Sequence, residues 1–290
     1  MDYPIYDYGG GGPVIILAPA NGFPPHTYRP LLEPLTARFR VVGLPPRALW
    51  PDPGPPDRFT SWRQMAADLL AALRAHRLEN VIALGHSMGG VASLLAALQE
   101  PGRFRGLALL DPTILPPPTL TVIRVMAALG LQDRFPLVQG ALRRRRTFAS
   151  VDEAFAYWRG KRLFANWPDE TLRLYAEGLT RPVSDGAGAA GGVELAWPPE
   201  WEAQYYRTIM TDTWRELPRL RGLLPTLIIN GERTDTFTAA SLRRARRLLP
   251  DAAFVTIAGH GHLFPQTAPE QARAAIEGWL TSLPPAGGAA

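Results

Sequence analysis

Residues 85 to 90 form a glycine-flanked serine motif that strongly constrains how this chain can fold. They read GHSMGG and lie between the apolar run of residues 81–84 and the helix-like stretch of residues 91–99. This arrangement predicts a nucleophile elbow, a turn so tight that its serine is strained and its outer glycines have no room for side chains. Such a turn exposes the Ser87 hydroxyl above a sheet and directs the Met88 N–H towards a developing oxyanion.

An exposed serine hydroxyl needs a base and a third group that orients the base, and two later strand ends offer them. Residues 225–231 are predicted to be a buried strand followed by Asp235, and residues 253–258 to be the last strand, followed by His262. Because the carboxyl ends of parallel strands meet at one edge of a sheet, both side chains are expected near Ser87. The order serine, acid, histidine predicts Ser87, Asp235 and His262 as a catalytic triad.

The segments around these residues resemble the α/β-hydrolase family, and the resemblance covers nearly the whole chain. Residues 262–270 are similar to the family's histidine loop, and residues 231–235 are similar to its acid turn. The apolar residues 14–18 precede the Asn-Gly-Phe-Pro of residues 21–24, which resembles the first oxyanion loop, usually His-Gly-x-Pro. The resemblance implies an α/β-hydrolase fold, with a mostly parallel central sheet, helices on both faces and a helical cap, and an activity of the serine esterase or lipase type.

The resemblance also implies which backbone groups bind the oxyanion. They are the N–H groups of Phe23 and Met88. Asn21 stands where the family has a histidine that braces this loop, so the chain departs from the family's pattern at this position. His26, just beyond the loop, is a candidate for the mouth of a substrate pocket, and an ordinary surface position is the alternative.

Asp111 is an alternative acid. It closes the predicted strand of residues 106–111, where some members of the family place their acid. Aspartate before proline also starts turns, because its carboxylate accepts from nearby backbone N–H groups. The order and spacing of the motifs favour Asp235, and Asp111 stays open.

The remaining histidines have structural interpretations. His86 adjoins the nucleophile, but successive residues on a tight elbow point apart, so a buried, hydrogen-bonded role is expected. His260 is expected to brace the turn before His262, and His76 to be solvated at an arginine-rich helix end. The histidines and carboxylates lack metal-ligand spacing, so no metal or other cofactor is expected.

The order of the predicted elements divides the chain into a core and one insertion. Strands alternate with helices up to Asp111, which is typical of a parallel sheet covered on both faces. The core is expected over residues 1–112 and 223–283, the insertion over residues 113–222, and a disordered tail over residues 284–290. The core elements before the insertion are predicted as strands over residues 4–8, 14–18, 39–44, 81–85 and 106–111, and helices over residues 27–38, 60–76 and 88–99.

The insertion is predicted to be helical. Its helical patterns cover residues 120–131, 151–162, 169–179 and 199–213. The resemblance implies a cap that roofs the active site. Most of its aromatic residues are explained by the area that small helices must bury, but Trp158 and Tyr206 are candidates for a wall of the substrate pocket. The glycine-rich residues 184–192 predict a flexible connection.

Charge and composition narrow the possible partners. The formal net charge is +5, and the one dense basic cluster is Arg143–Arg146. Four consecutive helical residues cannot form one stripe, so a solvated surface is expected, with a basic rim for anionic coenzyme A thioesters as the alternative. The sequence has no cysteine, no recognisable nucleic-acid module, no membrane span and no signal-peptide pattern at its start. A cytoplasmic monomer or homodimer is expected.

These features predict acyl transfer to water. We expect a carboxylesterase-like serine hydrolase that cleaves an ester or thioester of a small to medium apolar acyl substrate through an acyl-enzyme. The alternatives are a C–C bond hydrolase, a perhydrolase or an aminopeptidase with the same triad, or a slow-turnover small-molecule binding protein. Epoxide opening and halide displacement are disfavoured, because members of the family that catalyse them use an aspartate in place of Ser87.

Overall fold

The fold is built on one central sheet. The computed structural model describes residues 3–183 and 191–284. Its strands are β1 (Tyr6–Gly9), β2 (Val14–Ala18), β3 (Arg40–Gly43), β4 (Val81–His86), β5 (Phe104–Leu110), β6 (Thr147–Phe148), β7 (Thr180–Pro182), β8 (Val193–Leu195), β9 (Thr226–Gly231) and β10 (Ala253–Ile257). Within the described ranges, seven of them form a sheet in the order β1-β3-β2-β4-β5-β9-β10. Neighbouring strands are parallel except for β1 and β3.

Helices cover both faces of this sheet. They are α1 (Arg29–Leu32), α2 (Arg63–Ala75), α3 (Met88–Gln99), α4 (Pro117–Ala128), α5 (Pro136–Leu142), α6 (Val151–Arg159), α7 (Asp169–Leu179), α8 (Pro199–Arg207), α9 (Thr213–Glu216), α10 (Ala239–Leu248), α11 (Phe264–Thr267) and α12 (Pro269–Leu280). Helices α2 and α3 bury leucines against one face, and α1 and α12 do so against the other. The predicted mostly parallel sheet with helices on both faces is therefore confirmed.

The side chains of β2 show why the central strands are continuously apolar. Ile16 points into the core shared with α2 and α3, whereas Ile15 and Leu17 point into the core shared with α1 and α12. Successive residues of a strand face opposite sides of the sheet. A strand covered on both sides therefore needs an apolar residue at every position, which is the pattern in the sequence.

The helix predicted over residues 27–38 is broken into short pieces. Only residues 29–32 are α-helical, and single 3₁₀ turns flank them at Pro25–Tyr28 and Glu33–Ala37. Prolines at positions 25, 30 and 34 supply no backbone N–H. Each proline fits only the first turn of a helix, so the segment forms three short helical pieces instead of one continuous helix.

The insertion between β5 and β9 is mostly helical, as predicted, but it also contains strands. Strands β6, β8 and β7 pair in that order as a small antiparallel sheet, which the helical patterns did not predict. Helix α5 was not predicted either. The helix predicted over residues 199–213 ends at Arg207, where the Thr208 hydroxyl donates to the Gln204 carbonyl at 2.8 Å. The chain resumes a helix only at Thr213.

Two predicted mobile segments fall largely outside the described residues. The glycine-rich connection was predicted over residues 184–192, of which the structure describes residues 191 and 192. The disordered tail was predicted over residues 284–290, of which the structure describes residue 284. Both remain predictions.

Candidate active site

Ser87 occupies a strained turn between β4 and α3. Its backbone has φ 56° and ψ −117°, a conformation that non-glycine residues seldom adopt. A Cβ atom at Gly85 would lie 2.5 Å from the Gly89 carbonyl oxygen, and one at Gly89 would lie 2.0 Å from the Ala18 carbonyl oxygen. Both glycines are therefore required by close backbone approach, as the motif predicts.

A chain of hydrogen bonds connects the Ser87 hydroxyl to a buried carboxylate. His262 Nε2 lies 2.9 Å from Ser87 Oγ, and His262 Nδ1 lies 2.9 Å from Asp111 Oδ1. Thr113 Oγ1 is a further hydroxyl at the nucleophile, 3.1 Å from Ser87 Oγ. The sequence analysis missed Thr113, and its position two residues after a strand-ending aspartate was the available signal.

The prediction that Asp235 orients His262 is wrong, because Asp111 holds that position. Asp111 is 0 % exposed, and its Oδ2 accepts from the Gly231 N–H at 2.9 Å. Its Oδ1 also accepts from the Thr234 hydroxyl at 2.7 Å. Asp235 is exposed, and its nearest hydrogen-bonding partner in the described structure is Thr236 Oγ1 at 3.4 Å.

The arrangement of strands explains this correction. Strand β5 pairs directly with β9, so the end of β5 lies beneath the turn that follows β9. That turn supplies donors to Asp111 through Gly231 and Thr234 rather than an acid to His262. Asp111 follows its strand at once, whereas Asp235 lies four residues beyond Gly231 and reaches the rim.

His86 is buried, and its hydrogen bonds connect the end of β4 to Tyr28 and to the loop of His262. Its Nδ1 accepts from the Tyr28 hydroxyl at 2.7 Å, and its Nε2 donates to the His262 carbonyl at 3.0 Å. The Tyr28 oxygen also accepts from the Ala20 N–H at 3.0 Å. Burial, with the proximity of His262, holds the pKa of His86 well below its ordinary value. The imidazole therefore stays neutral, with one donor and one acceptor, in the structural role that was predicted for it.

The two predicted oxyanion donors differ in their surroundings. The Met88 N–H lies in the first turn of α3, where backbone donors have no partner within the helix. The Phe23 N–H donates to the Ala20 carbonyl at 3.2 Å across the turn of Asn21 and Gly22. This bond is at the long limit for N–H···O contacts, so the Phe23 N–H is only weakly engaged.

A cavity of about 480 Å³ opens above Ser87 and His262. Its wall is largely apolar and comes from both the core and the insertion, with Trp62, Leu115, Ile123, Phe135, Leu163 and Ile209 among its members. Asp235 and Thr236 also line this cavity. Within the described residues, no arginine or lysine does so.

Of the predicted pocket residues, the structure brings only Tyr206 to this cavity. Trp158 is buried among insertion aromatics and lines a separate cavity of about 280 Å³. His26 packs edge-on against Tyr6, with ring centroids 4.5 Å apart, and against Gly178 of α7. The pocket roles predicted for Trp158 and His26 are therefore wrong, because Trp158 packs inside the insertion and His26 packs between the core and the insertion.

The arginine cluster is neither helical nor uniformly solvated. It follows α5, and Arg143 to Arg146 lead in an irregular segment into β6. Arg145 and Arg146 make exposed ion pairs with Glu153 and Glu200, but Arg144 turns inwards to a buried pair with Glu202. The predicted solvated surface therefore holds for Arg143, Arg145 and Arg146, which are exposed, but is wrong for Arg144, and the segment is not helical.

Residues 3–183 and 191–284 contain neither a metal-binding cluster nor a membrane-spanning helix. No group of three or more histidine, aspartate or glutamate side chains is placed to hold a metal ion. In the same part of the chain, no helix has the length and apolar character needed to cross a bilayer.

Comparisons with known proteins agree on the fold. A family model described as "alpha/beta hydrolase fold" matches residues 13–269. The chain is 24 % identical to a 2-(acetamidomethylene)succinate hydrolase of Mesorhizobium japonicum over 93 % of this chain and 89 % of that protein. It is 26 % identical to haloalkane dehalogenase 2 of Mycobacterium bovis, covering 92 % of this chain and 87 % of that protein.

A solved structure shares the same architecture. The crystal structure of an E-2-(acetamidomethylene)succinate hydrolase superposes with a TM-score of 0.75 at 23 % identity, covering 96 % of this chain and 94 % of that one. This likeness extends over the sheet and the insertion, so it shows the fold of nearly the whole chain.

The elbow geometry predicts opposite effects of alanine at two helical glycines. Gly89→Ala should lower the free energy of unfolding by about 3 kcal/mol or more, because its Cβ would meet the Ala18 backbone. Gly278→Ala in α12 meets no atom within 4 Å and should raise it by about 0.5–1 kcal/mol. Urea unfolding of both variants measures the difference, and equal stabilities would contradict the steric account of the elbow.

Proposed function

Because the chain belongs to the α/β-hydrolase fold family, we propose that it is a serine hydrolase that cleaves a carboxylic ester or thioester with a small to medium apolar acyl group. The observation that carries this proposal is the Asp111–His262–Ser87 hydrogen-bond chain at the floor of an apolar cavity of about 480 Å³. Residues 113–222 would act as a cap, because they supply much of the wall above the serine.

Acylation follows from the two hydrogen bonds of His262. With its Nδ1–H donated to Asp111, the imidazole presents the Nε2 lone pair to the Ser87 hydroxyl. As Ser87 Oγ attacks the carbonyl carbon, Nε2 takes the proton, and Asp111 stabilises the imidazolium. The proton then passes to the leaving alcohol or thiol, and the acyl group stays on Ser87.

Deacylation reverses the proton path with water as nucleophile. His262 takes a proton from water, the hydroxide oxygen attacks the acyl carbon, and Ser87 Oγ leaves with the proton returned by Nε2. In both steps the carbonyl oxygen becomes negative, and the N–H groups of Met88 and Phe23 are the proposed donors to it. The Phe23 N–H would share its long bond to the Ala20 carbonyl with the oxyanion.

A serine at position 87 argues against the reaction named for the haloalkane dehalogenase relative. Displacement of halide by a carboxylate gives an ester, which water cleaves at the carbonyl carbon. Displacement by the Ser87 hydroxyl would give an ether, which has no carbonyl for water to attack. The enzyme would then be consumed in one turnover, so carbonyl substrates fit this nucleophile and alkyl halides do not.

The cavity argues for apolar, uncharged acyl groups. Its described lining has no arginine or lysine, and Asp235 adds a negative charge at its edge. Burying a carboxylate without a partner is costly. A dicarboxylate such as the succinate derivative in the name of one relative would therefore lack a counter-ion here. This supports a different acyl group for this chain.

Reaction with a small phosphonate ester tests the proposal directly. An active serine hydrolase should be phosphonylated at Ser87, and peptide mass spectrometry of the labelled protein locates the adduct. Ser87→Ala should abolish both labelling and hydrolysis of 4-nitrophenyl butyrate, with kcat lower by on the order of 10⁴-fold or more. An unlabelled, inactive wild-type protein would contradict the proposal and favour a binding protein.

The two aspartates provide a matched pair for the acid. Asp111→Asn should lower kcat by on the order of 10⁴-fold with little change in KM, because the amide stabilises the wrong tautomer of His262. Asp235→Asn removes a charge from the cavity edge and should change kcat for a neutral ester less than about threefold. Steady-state kinetics on 4-nitrophenyl butyrate measures kcat and KM of both variants. A larger loss of kcat in the Asp235 variant would indicate that Asp235, and not Asp111, orients His262.

Tyr206 and Trp158 provide a matched test of the pocket wall. Tyr206→Ala should enlarge the catalytic cavity and shift the preferred acyl chain to longer esters, because Tyr206 lines it. Trp158→Ala should lower the melting temperature without changing the preferred length, because Trp158 is buried outside that cavity. Values of kcat/KM for acetyl to decanoyl esters decide the matter; a length shift in the Trp158 variant alone would contradict this wall assignment.

A further inference from the structure

A buried ion pair in the insertion packs beneath the oxyanion loop. The Arg144 guanidinium is paired with the Glu202 carboxylate, and the two side chains are only 15 % and 11 % exposed. Arg144 also donates to the Tyr175 hydroxyl at 2.7 Å. The pair therefore joins the segment after α5, helix α7 and helix α8 at one point.

Glu202 meets the turn of residues 21–23 through its backbone at Asn21, and the ion-paired side chains pack close to Gly22. Asn21 Nδ2 donates to the backbone carbonyl of Glu202 at 3.0 Å, and this acceptor fixes which way the amide points. A Cβ at Gly22 would lie 3.3 Å from the Glu202 carboxylate and 3.6 Å from Arg144 Nη1. Gly22 also has φ +79°, so the turn is both strained for other residues and closely packed on the pair.

Aromatic contacts extend the same support to Phe23. Its ring stacks on Trp167 with centroids 5.8 Å apart and lies 5.8 Å from the ring of Tyr175. Tyr175 is the residue that accepts from Arg144, and burial raises its pKa to about 12, so it remains a neutral phenol. Each residue of the turn thus contacts either Glu202 or Tyr175, and both of these are partners of Arg144.

The energetics of such a pair indicate a role in geometry rather than in stability. Burial alone would lower the pKa of Arg144, but its contacts with Tyr175 and Glu202 outweigh burial and raise that pKa. Desolvating two charges costs about as much as their attraction returns, so apolar residues of similar volume often stabilise a fold equally well. What an apolar pair cannot supply is directed hydrogen bonding, which fixes the positions of the groups on either side.

We propose that the Arg144–Glu202 ion pair is a positioning element for the oxyanion loop, which it supports from the insertion. It holds the Asn21–Gly22–Phe23 turn so that the Phe23 N–H can donate to the oxyanion formed at Ser87. The inference rests on the proposed serine hydrolase function. It also means that the insertion influences the chemical step and not only the choice of acyl group.

The test compares two double variants. One replaces the buried ion pair with apolar residues, and the other replaces an exposed ion pair of the same segment in the same way. The double variant Arg144→Met/Glu202→Leu removes both buried charges together, so no unpaired charge is left behind. The control Arg146→Met/Glu200→Leu removes a pair whose side chains are 54 % and 47 % exposed. Exposed pairs contribute little to stability. Phosphonate titration of active sites normalises every rate to folded, reactive enzyme.

Four quantities distinguish positioning from a purely structural role: the melting temperature, kcat, KM and the affinity for a boronic acid. The buried-pair variant should keep its melting temperature within a few degrees but lose about tenfold to a hundredfold in kcat for 4-nitrophenyl butyrate, with KM within about twofold. Its affinity for an alkyl boronic acid, whose serine adduct carries an oxyanion-like oxygen, should fall by the same factor as kcat. The exposed-pair control should match the wild type in all four quantities.

The outcomes distinguish a failure of the proposed hydrolase function from a failure of the positioning role. A wild type that neither hydrolyses esters nor reacts with phosphonate would contradict the proposed function itself. An active wild type with a folded buried-pair variant of unchanged kcat and boronate affinity would overturn only the positioning role. If the double variant fails to fold, the variant Arg144→Lys tests the inference instead. One ammonium cannot reproduce both guanidinium contacts, so kcat per titrated site should fall several-fold. An unchanged kcat would overturn the inference.

Discussion

The fully buried carboxylate of Asp111 is the interaction on which the candidate active site depends. It accepts from His262, from the Gly231 N–H and from the Thr234 hydroxyl, while its own N–H donates to the Ile229 carbonyl at 2.7 Å. These donors satisfy a charge that burial would otherwise penalise heavily. They also hold the end of β5 against the turn after β9, so the same hydrogen bonds that satisfy the buried carboxylate fix where His262 points.

This interaction also marks the limit of what the sequence could predict. Ser87 and His262 were predictable because each follows a distinct local pattern, a glycine-bounded elbow and a loop after the last strand. The acid was not, because Asp111 and Asp235 both follow buried strands that are neighbours in the sheet. Choosing between them depends on which strand end lies under the other. That is a question of tertiary register, which the order of the motifs along the chain does not decide.

The arginine cluster shows a second kind of limit. Four consecutive arginines on a helix would point in several directions, and on that basis a solvated surface was predicted. In the structure, Arg144 is buried by Tyr175 and Glu202, which are 31 and 58 residues away along the chain. A buried charge is stable only with such partners, and sequence alone does not show that they meet. The fold class was predictable from the repeated alternation of strands and helices, whereas the burial of Arg144 depends on contacts between residues far apart in the sequence.

The loops that surround Ser87 are supported from two directions. From the core, Tyr28 and His86 connect the Ala20 N–H to the His262 carbonyl through hydrogen bonds of 2.7 to 3.0 Å. From the insertion, Asn21 and Gly22 rest on Glu202 and its ion pair. A hydrolase needs its nucleophile, base and oxyanion donors held together to within a fraction of an ångström. Because one of these supports comes from the insertion, sequence changes there that alter the pocket can also alter the rate of the chemical step.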